Sequence, residues 1–106
     1  VYLNVARPRA VEAARWGTLP GAYVVNRDPG HIGGKPLGLM LAIVRDYSCE
    51  GDLVCDPCAG MGTTLVAADT LGRRVIGAEI DPETHAKAAA WLSQPRQPEL
   101  KLGDVA

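Results

Sequence analysis

Phenylalanine is absent from this 106-residue chain, and aromatic residues make up only 5% of it. Any core must therefore be built from Val, Leu, Ile, Ala and Met. Charge of one sign is also lacking: 11 Lys and Arg face 12 Asp and Glu, for a formal net charge of −1. Affinity for nucleic acid comes chiefly from neutralising phosphates, so a chain without a basic excess carries no strong nucleic-acid footprint of its own. No apolar run reaches the roughly 18–20 residues that span a bilayer. The first residues do not follow the basic, apolar and small-residue order of a signal peptide. These absences lead to the expectation of a soluble, intracellular chain. The cysteines Cys49, Cys55 and Cys58 are an odd number, a poor basis for a disulfide framework. The Cys55-x-x-Cys58 pair needs a thioredoxin-like setting for redox chemistry. For zinc it needs a second ligand pair, and His31 and His85 lie far apart in sequence. The plainer expectation is a buried strand cysteine followed by a loop cysteine.

What is present is ordinary globular composition, 47% hydrophobic and 22% charged, at a length that allows one small domain and not two. The chain begins with Val1, which reads as a fragment, a trimmed piece or a processed product. Pro8 to Trp16 can form a short helix and Ala22 to Val25 a short β segment, followed by a turn-rich stretch through Gly34. Pro36 to about Asp46 is mostly apolar and is expected as a buried helix with Pro36 as its first residue. Leu53 to Asp56 reads as a strand, and Pro57 to Gly62 as a loop. Thr63 to Leu71 reads as a helix stopped by Gly72. Arg74 to Glu79 is a second strand. Asp81-Pro82-Glu83 opens a further helix, with an Asp cap, a first-turn Pro and a first-turn acid, running to about Ser93. From Pro95 onward a loose tail with at most one short strand is expected. Strand, glycine loop, helix, strand and helix in this order form a βαβ unit, whose ligands bind at the carboxyl ends of its parallel strands.

The chemistry concentrates in Asp56-Pro57-Cys58-Ala59-Gly60-Met61-Gly62-Thr63. An acid ends an apolar strand, and a turn with two glycines opens a helix, which lets a ligand approach the backbone closely. The second strand ends at Glu79, at the same sheet edge. An acid there can accept hydrogen bonds from both hydroxyls of a ribose; the plain alternative is a solvated strand-end acid. Asp81 already has a local explanation as a helix cap. A nicotinamide dinucleotide is the rival ligand, but its third glycine is missing after Gly60-x-Gly62. Asp56 also places a negative charge where a pyrophosphate would sit, a poor site for an anion and a good one for an ammonium group.

Asp-Pro-x-x-Gly-x-Gly-Thr after an apolar strand resembles the cofactor motif of DNA methyltransferases that modify exocyclic amino groups. The family usually has Phe or a similar residue where this chain has Cys58. Upstream, His31-x-x-x-Lys35-Pro36-Leu37-x-Leu39-Met40 resembles the same family's other cofactor motif. Downstream, Gly72-Arg73 followed by Ile76-Gly77-x-Glu79 resembles its next element, which ends in the ribose-binding acid. Together these cover about Ile32 to Trp91.

The resemblance implies an α/β chain that is part of a Rossmann-like S-adenosylmethionine-dependent methyltransferase fold with a parallel sheet core. It implies that Asp56, Gly60, Gly62 and Thr63 surround the methionine part of S-adenosylmethionine, that Glu79 holds its ribose and that Pro57 belongs to the same cofactor site. Lys35 and Pro36 would border the same pocket, with a plain surface lysine as the alternative for Lys35. His31 is equally well a loop residue. Ile80 can pack on the adenine ring or belong to the core. The family's base-gripping loop, an Asp, Asn or Ser followed by Pro-Pro and an aromatic residue, has no match, because the sequence contains no Pro-Pro. No catalytic residue and no metal ligand is therefore named.

The implied division is residues 1–30 as a remnant of an upstream half, 31–94 as the S-adenosylmethionine-binding βαβ region and 95–106 as a C-terminal tail. The expected partner is DNA, reached through the missing half, with no membrane and with self-association or a complementary chain at an exposed sheet edge. The expected location is the cytoplasm of a bacterial or phage-infected cell. The expected activity is methyl transfer to the amino group of adenine or cytosine, with the chain alone inactive. The alternatives are a non-catalytic cofactor-binding module serving a separate catalytic chain, and a dinucleotide-binding oxidoreductase fragment.

Overall fold

The computed structural model describes Tyr23 and residues 35–95. The expected helix at Pro8–Trp16, the β segment at Ala22–Val25 apart from Tyr23, His31 and the tail beyond Pro95 lie outside the described residues.

The first described helix, α1, spans Leu37–Tyr47. It is apolar nearly all round, with Leu39, Met40, Leu41, Ala42 and Val44 buried. Pro36 was expected as its first residue and is instead the cap, extended at ψ 128. Its carbonyl accepts the Met40 amide at 3.2 Å, so Pro36 is already half in the helix, where its missing N–H costs nothing. At the other end the Ser48 amide donates to the Val44 carbonyl at 3.1 Å. Tyr23 packs against this end, its hydroxyl donating to Asp46 Oδ2 at 2.9 Å.

Strand β1 (Leu53–Asp56) pairs in parallel with β2 (Arg74–Gly77), Leu53 opposite Arg74 and Asp56 opposite Gly77. A parallel pair needs a crossover, and α2 (Thr63–Thr70) supplies it, lying against both strands. The expected stop at Gly72 is a Schellman arrangement: the Gly72 amide donates to the Asp69 carbonyl and the Arg73 amide to the Ala68 carbonyl. The last element, α3 (Pro82–Leu92), packs on α2. Asp81 caps it as expected, accepting the Thr84 amide at 2.8 Å, with Pro82 in the first turn.

The core is small and sits between α1 and α2. Met40, Leu41 and Val44 meet Ala67 and Ala68, and Leu37, Ile43, Val54, Leu71 and Val75 pack around them. Ala67 and Ala68 are fully buried, and their small side chains let the helices approach closely. Each buried Leu, Val or Met contributes about 1.5–3 kcal/mol.

Two expectations are corrected here. Cys55 was expected to be buried and is exposed. Alternation along β1 turns Val54 to the core and Leu53 and Cys55 to the opposite face, which no described element covers. Ile76, opposite Cys55, shares that face and is 56% exposed. The second strand was expected to reach Glu79, but its ladder stops at Gly77. Its partner ends at Asp56, where Pro57 turns the chain away and brings no N–H to continue the pairing.

Candidate functional site

The carboxyl ends of β1 and β2 meet at one edge, and the loop between β1 and α2 folds over it. Asp56 closes β1 with a side chain only 12% exposed. Its Oδ1 accepts the Cys58 amide at 3.1 Å, a local Asp turn that fixes the carboxylate. Its Oδ2 is buried and accepts no hydrogen bond among the described residues. Lys35 Nζ lies 3.7 Å from that oxygen, close enough for charge attraction and too far for a hydrogen bond. Lys35 is 56% exposed, so water screens the pair and its net worth is below about 1 kcal/mol.

Beyond Asp56 the loop is held by its main chain. The Ala59 amide donates to the Ala78 carbonyl at 2.8 Å, and the Gly62 amide returns to the Ala59 carbonyl at 2.9 Å. Gly60 and Gly62 both have left-handed backbones, at φ 55 and 87, which only glycine adopts readily. Gly62 is also the cap of α2, and no side chain among the described residues caps it. The first amides of α2 and the positive end of its dipole therefore adjoin the loop, beside buried Thr63.

Glu79 comes two residues after β2. Its Oε2 accepts the Gly60 amide at 2.7 Å and its Oε1 accepts the Asp81 amide at 3.1 Å. Asp81 is fully engaged as a helix cap, and its hydrogen bonds from the Thr84 side chain and then the Thr84 amide hold its carboxyl below the usual carboxylate range. Ile80 is 98% exposed, which rules out the core alternative for this residue. Behind Glu79 a mainly apolar cleft of about 150 Å³ separates β2 from α3, lined by Leu65, Ile76, Ala88 and Leu92 with His85 at its wall.

Asp56, Lys35, Gly60, Gly62, Thr63 and Glu79 are thus gathered at one sheet edge, and Pro36 and Pro57 adjoin them in sequence. Ile80 lies next to Glu79 with its side chain in solvent. The bond between Glu79 and the Gly60 amide was not foreseen, because the backbone donor has no identity in the sequence. Ala88, which packs behind Gly62, also escaped notice. A glycine loop followed by an alanine-rich helix is the signal that could have revealed it.

The profile of the DNA methylase family, the N6/N4 methyltransferases, matches residues 12–90. The chain belongs to this family. It is 44% identical over 57 residues to the type II methyltransferase M.HindIII of Haemophilus influenzae, a match that covers 53% of this chain and 18% of that protein. Among solved structures, M1.HpyAVI in complex with SAM aligns at a TM-score of 0.64 and 25% identity, covering 84% of this chain and 43% of that one. A protein of Thermus thermophilus classed as a DNA modification methylase, complexed with S-adenosyl-L-methionine, aligns at 0.51 and 44% identity, covering 55% and 26%. The fold is therefore the α/β, Rossmann-like methyltransferase fold, and the chain spans less than half the length of each of these relatives.

Proposed function

We propose that this chain is the S-adenosylmethionine-binding part of a DNA methyltransferase acting on the exocyclic amino group of adenine or cytosine. The observation that carries the reading is Asp56 Oδ2, buried at the mouth of the glycine loop with no hydrogen-bond donor among the described residues. A buried carboxylate oxygen without a donor is costly unless a cationic ligand group meets it. An amino-acid ammonium suits it, whereas the pyrophosphate of a dinucleotide does not.

The residues fit this cofactor. Asp56 would take the ammonium group of its methionine part, and Lys35 with the uncapped start of α2 would favour the carboxylate. Gly60 and Gly62, lacking Cβ atoms, would allow the chain beside Thr63 to approach closely. Glu79 keeps an unused lone pair on each oxygen, enough for two ribose hydroxyls. Ile80 is exposed and would offer an apolar surface to the adenine ring, with Pro36 and Pro57 bordering the pocket. When bound, the cofactor supplies an electrophilic methyl group on its sulfonium. The chain's own part is to hold that group still and in line with an acceptor nitrogen.

The division into residues 1–30, 31–94 and 95–106 belongs to this proposal. So does DNA as the substrate, since the family is one of DNA methylases and the Thermus thermophilus protein is named a DNA modification methylase. The near-neutral charge of this chain supports DNA contact through segments other than this one. No described helix is long and apolar enough to cross a membrane. A cytoplasmic location in a bacterial or phage-infected cell completes the proposal. Because the sequence has no Pro-Pro loop to grip a base, the chain alone is expected to bind cofactor without transferring methyl.

Calorimetric titration with S-adenosylhomocysteine and, separately, with a nicotinamide dinucleotide tests the proposal. Binding of the first and not the second supports it; the reverse preference overturns it.

A further inference from the structure

A carboxylate offers about four lone-pair positions, and Glu79 gives two of them to main-chain amides of different elements. One is Gly60 in the loop over β1, at 2.7 Å; the other is Asp81, at the start of α3, at 3.1 Å. The first bond crosses 19 residues of chain and is the side-chain contact by which the second strand's end holds the glycine loop. Gly60 needs holding. Its backbone is left-handed at φ 55, and a Cβ built on it would meet nothing within 4 Å. No packing on its Cβ side fixes this half-buried residue, and its amide is held by the hydrogen bond to Glu79.

We infer that Glu79 is a positioning residue for the methionine half of the cofactor as well as a ligand of its ribose: it clamps the glycine loop to the head of α3. The inference rests on the cofactor reading above and extends it. Both oxygens are pinned, so the carboxylate's orientation is fixed before any ribose arrives. The same bonds hold the Asp56–Thr63 loop in the shape that receives the amino-acid end. The two halves of the ligand are then energetically linked through one side chain that touches only one of them. A carboxylate serving ribose alone would produce no such link.

The discriminating probe is an S-adenosylhomocysteine analogue lacking the 2′ and 3′ hydroxyls, titrated calorimetrically into the full chain and into its Glu79→Ala variant. With no hydroxyls to bind, a loss comes through the main-chain groups that Glu79 holds, and the Gly60 exchange described below assigns it to the loop. The clamp predicts that Glu79→Ala weakens this analogue roughly tenfold, the worth of one lost hydrogen bond to a charged group. Equal affinity in both proteins overturns it while leaving the ribose role intact. Glu79→Gln gives a milder variant: its single carbonyl oxygen can accept one amide of the two, so an intermediate loss is expected.

A second readout does not depend on ligand. Amide hydrogen exchange followed by NMR should show the Gly60 amide exchanging roughly tenfold faster in Glu79→Ala, relative to the Ala67 amide in the middle of α2. Unchanged Gly60 exchange overturns the clamp even if no ligand binds. Failure of S-adenosylhomocysteine itself to bind the unmodified chain would instead count against the cofactor reading, so the two failures are distinguishable.

Discussion

Gly62 and Ala88 meet where α3 backs the glycine loop: a Cβ on Gly62 would lie 3.2 Å from the Cβ of Ala88. The cap of α2 and the middle of α3 are thus in contact through two of the smallest residues available. Gly62 is needed twice over, because its φ of 87 is also closed to ordinary side chains.

Gly62→Ala is therefore expected to lower stability by about 1–3 kcal/mol, from the left-handed backbone and the crowding together. Adding Ala88→Gly should relieve the crowding and none of the backbone strain, while adding about 1 kcal/mol for glycine in a helix interior. Urea denaturation of both variants and of Ala88→Gly alone measures the split. Full recovery in the double variant would show that the backbone at Gly62 relaxes freely.

Arg73 joins the ends of two helices. Its Nε donates to Ser48 Oγ at 2.9 Å, its Nη2 to the Ser48 carbonyl at 2.7 Å and its Nη1 to the Leu71 carbonyl at 2.7 Å. A cation at two helix C-termini also meets both negative dipole ends. Arg73→Ala should cost about 1–3 kcal/mol, and Arg73→Lys should recover little of it, since an ammonium cannot span three acceptors held in a fork. Thermal denaturation of both variants checks this.

Helix α3 carries a pH dependence through Asp81. Its folded-state carboxyl is held below the ordinary value by Thr84, so its contribution is complete above the unfolded pKa near 3.8. It is lost as pH falls through the lowered folded value. The stability difference between the wild-type chain and Asp81→Ala should accordingly be constant near neutrality and shrink in that acidic window. Helicity by circular dichroism against pH reads it. A difference that persists undiminished at the lowest pH would show that Asp81 acts through something other than its charge.

How far the sequence discloses all this depends on how local each cause is. The limits of β1, the start of α2 at Thr63, its stop at Gly72 and the Asp81-Pro82 opening of α3 follow from residues within a few positions of each other. They were legible. The end of β2 was not, because it is set by where β1 runs out at Asp56. The side on which Cys55 faces was equally hidden, since alternation gives two faces and only the packing of α2 selects one. At the site, the residue types Asp56, Gly60, Gly62 and Glu79 were readable. The Glu79 clamp was not, because its partners are backbone amides.

The described sheet has two strands, so β1 and β2 each leave one edge without a strand among the described residues. Open edges pair with other chains. Light scattering across a concentration series is expected to show self-association that grows with concentration. A monomer at all concentrations, melting cooperatively at high temperature, would contradict this.

The most direct test of the central claim is calorimetric titration of S-adenosylhomocysteine into the chain and into Asp56→Asn, which removes the charge and keeps the shape. Binding by the wild-type chain, weakened at least roughly tenfold in a variant that still folds, is the predicted result. Equal binding by both would contradict the account, because the buried Asp56 carboxylate would then have no part in receiving the ligand.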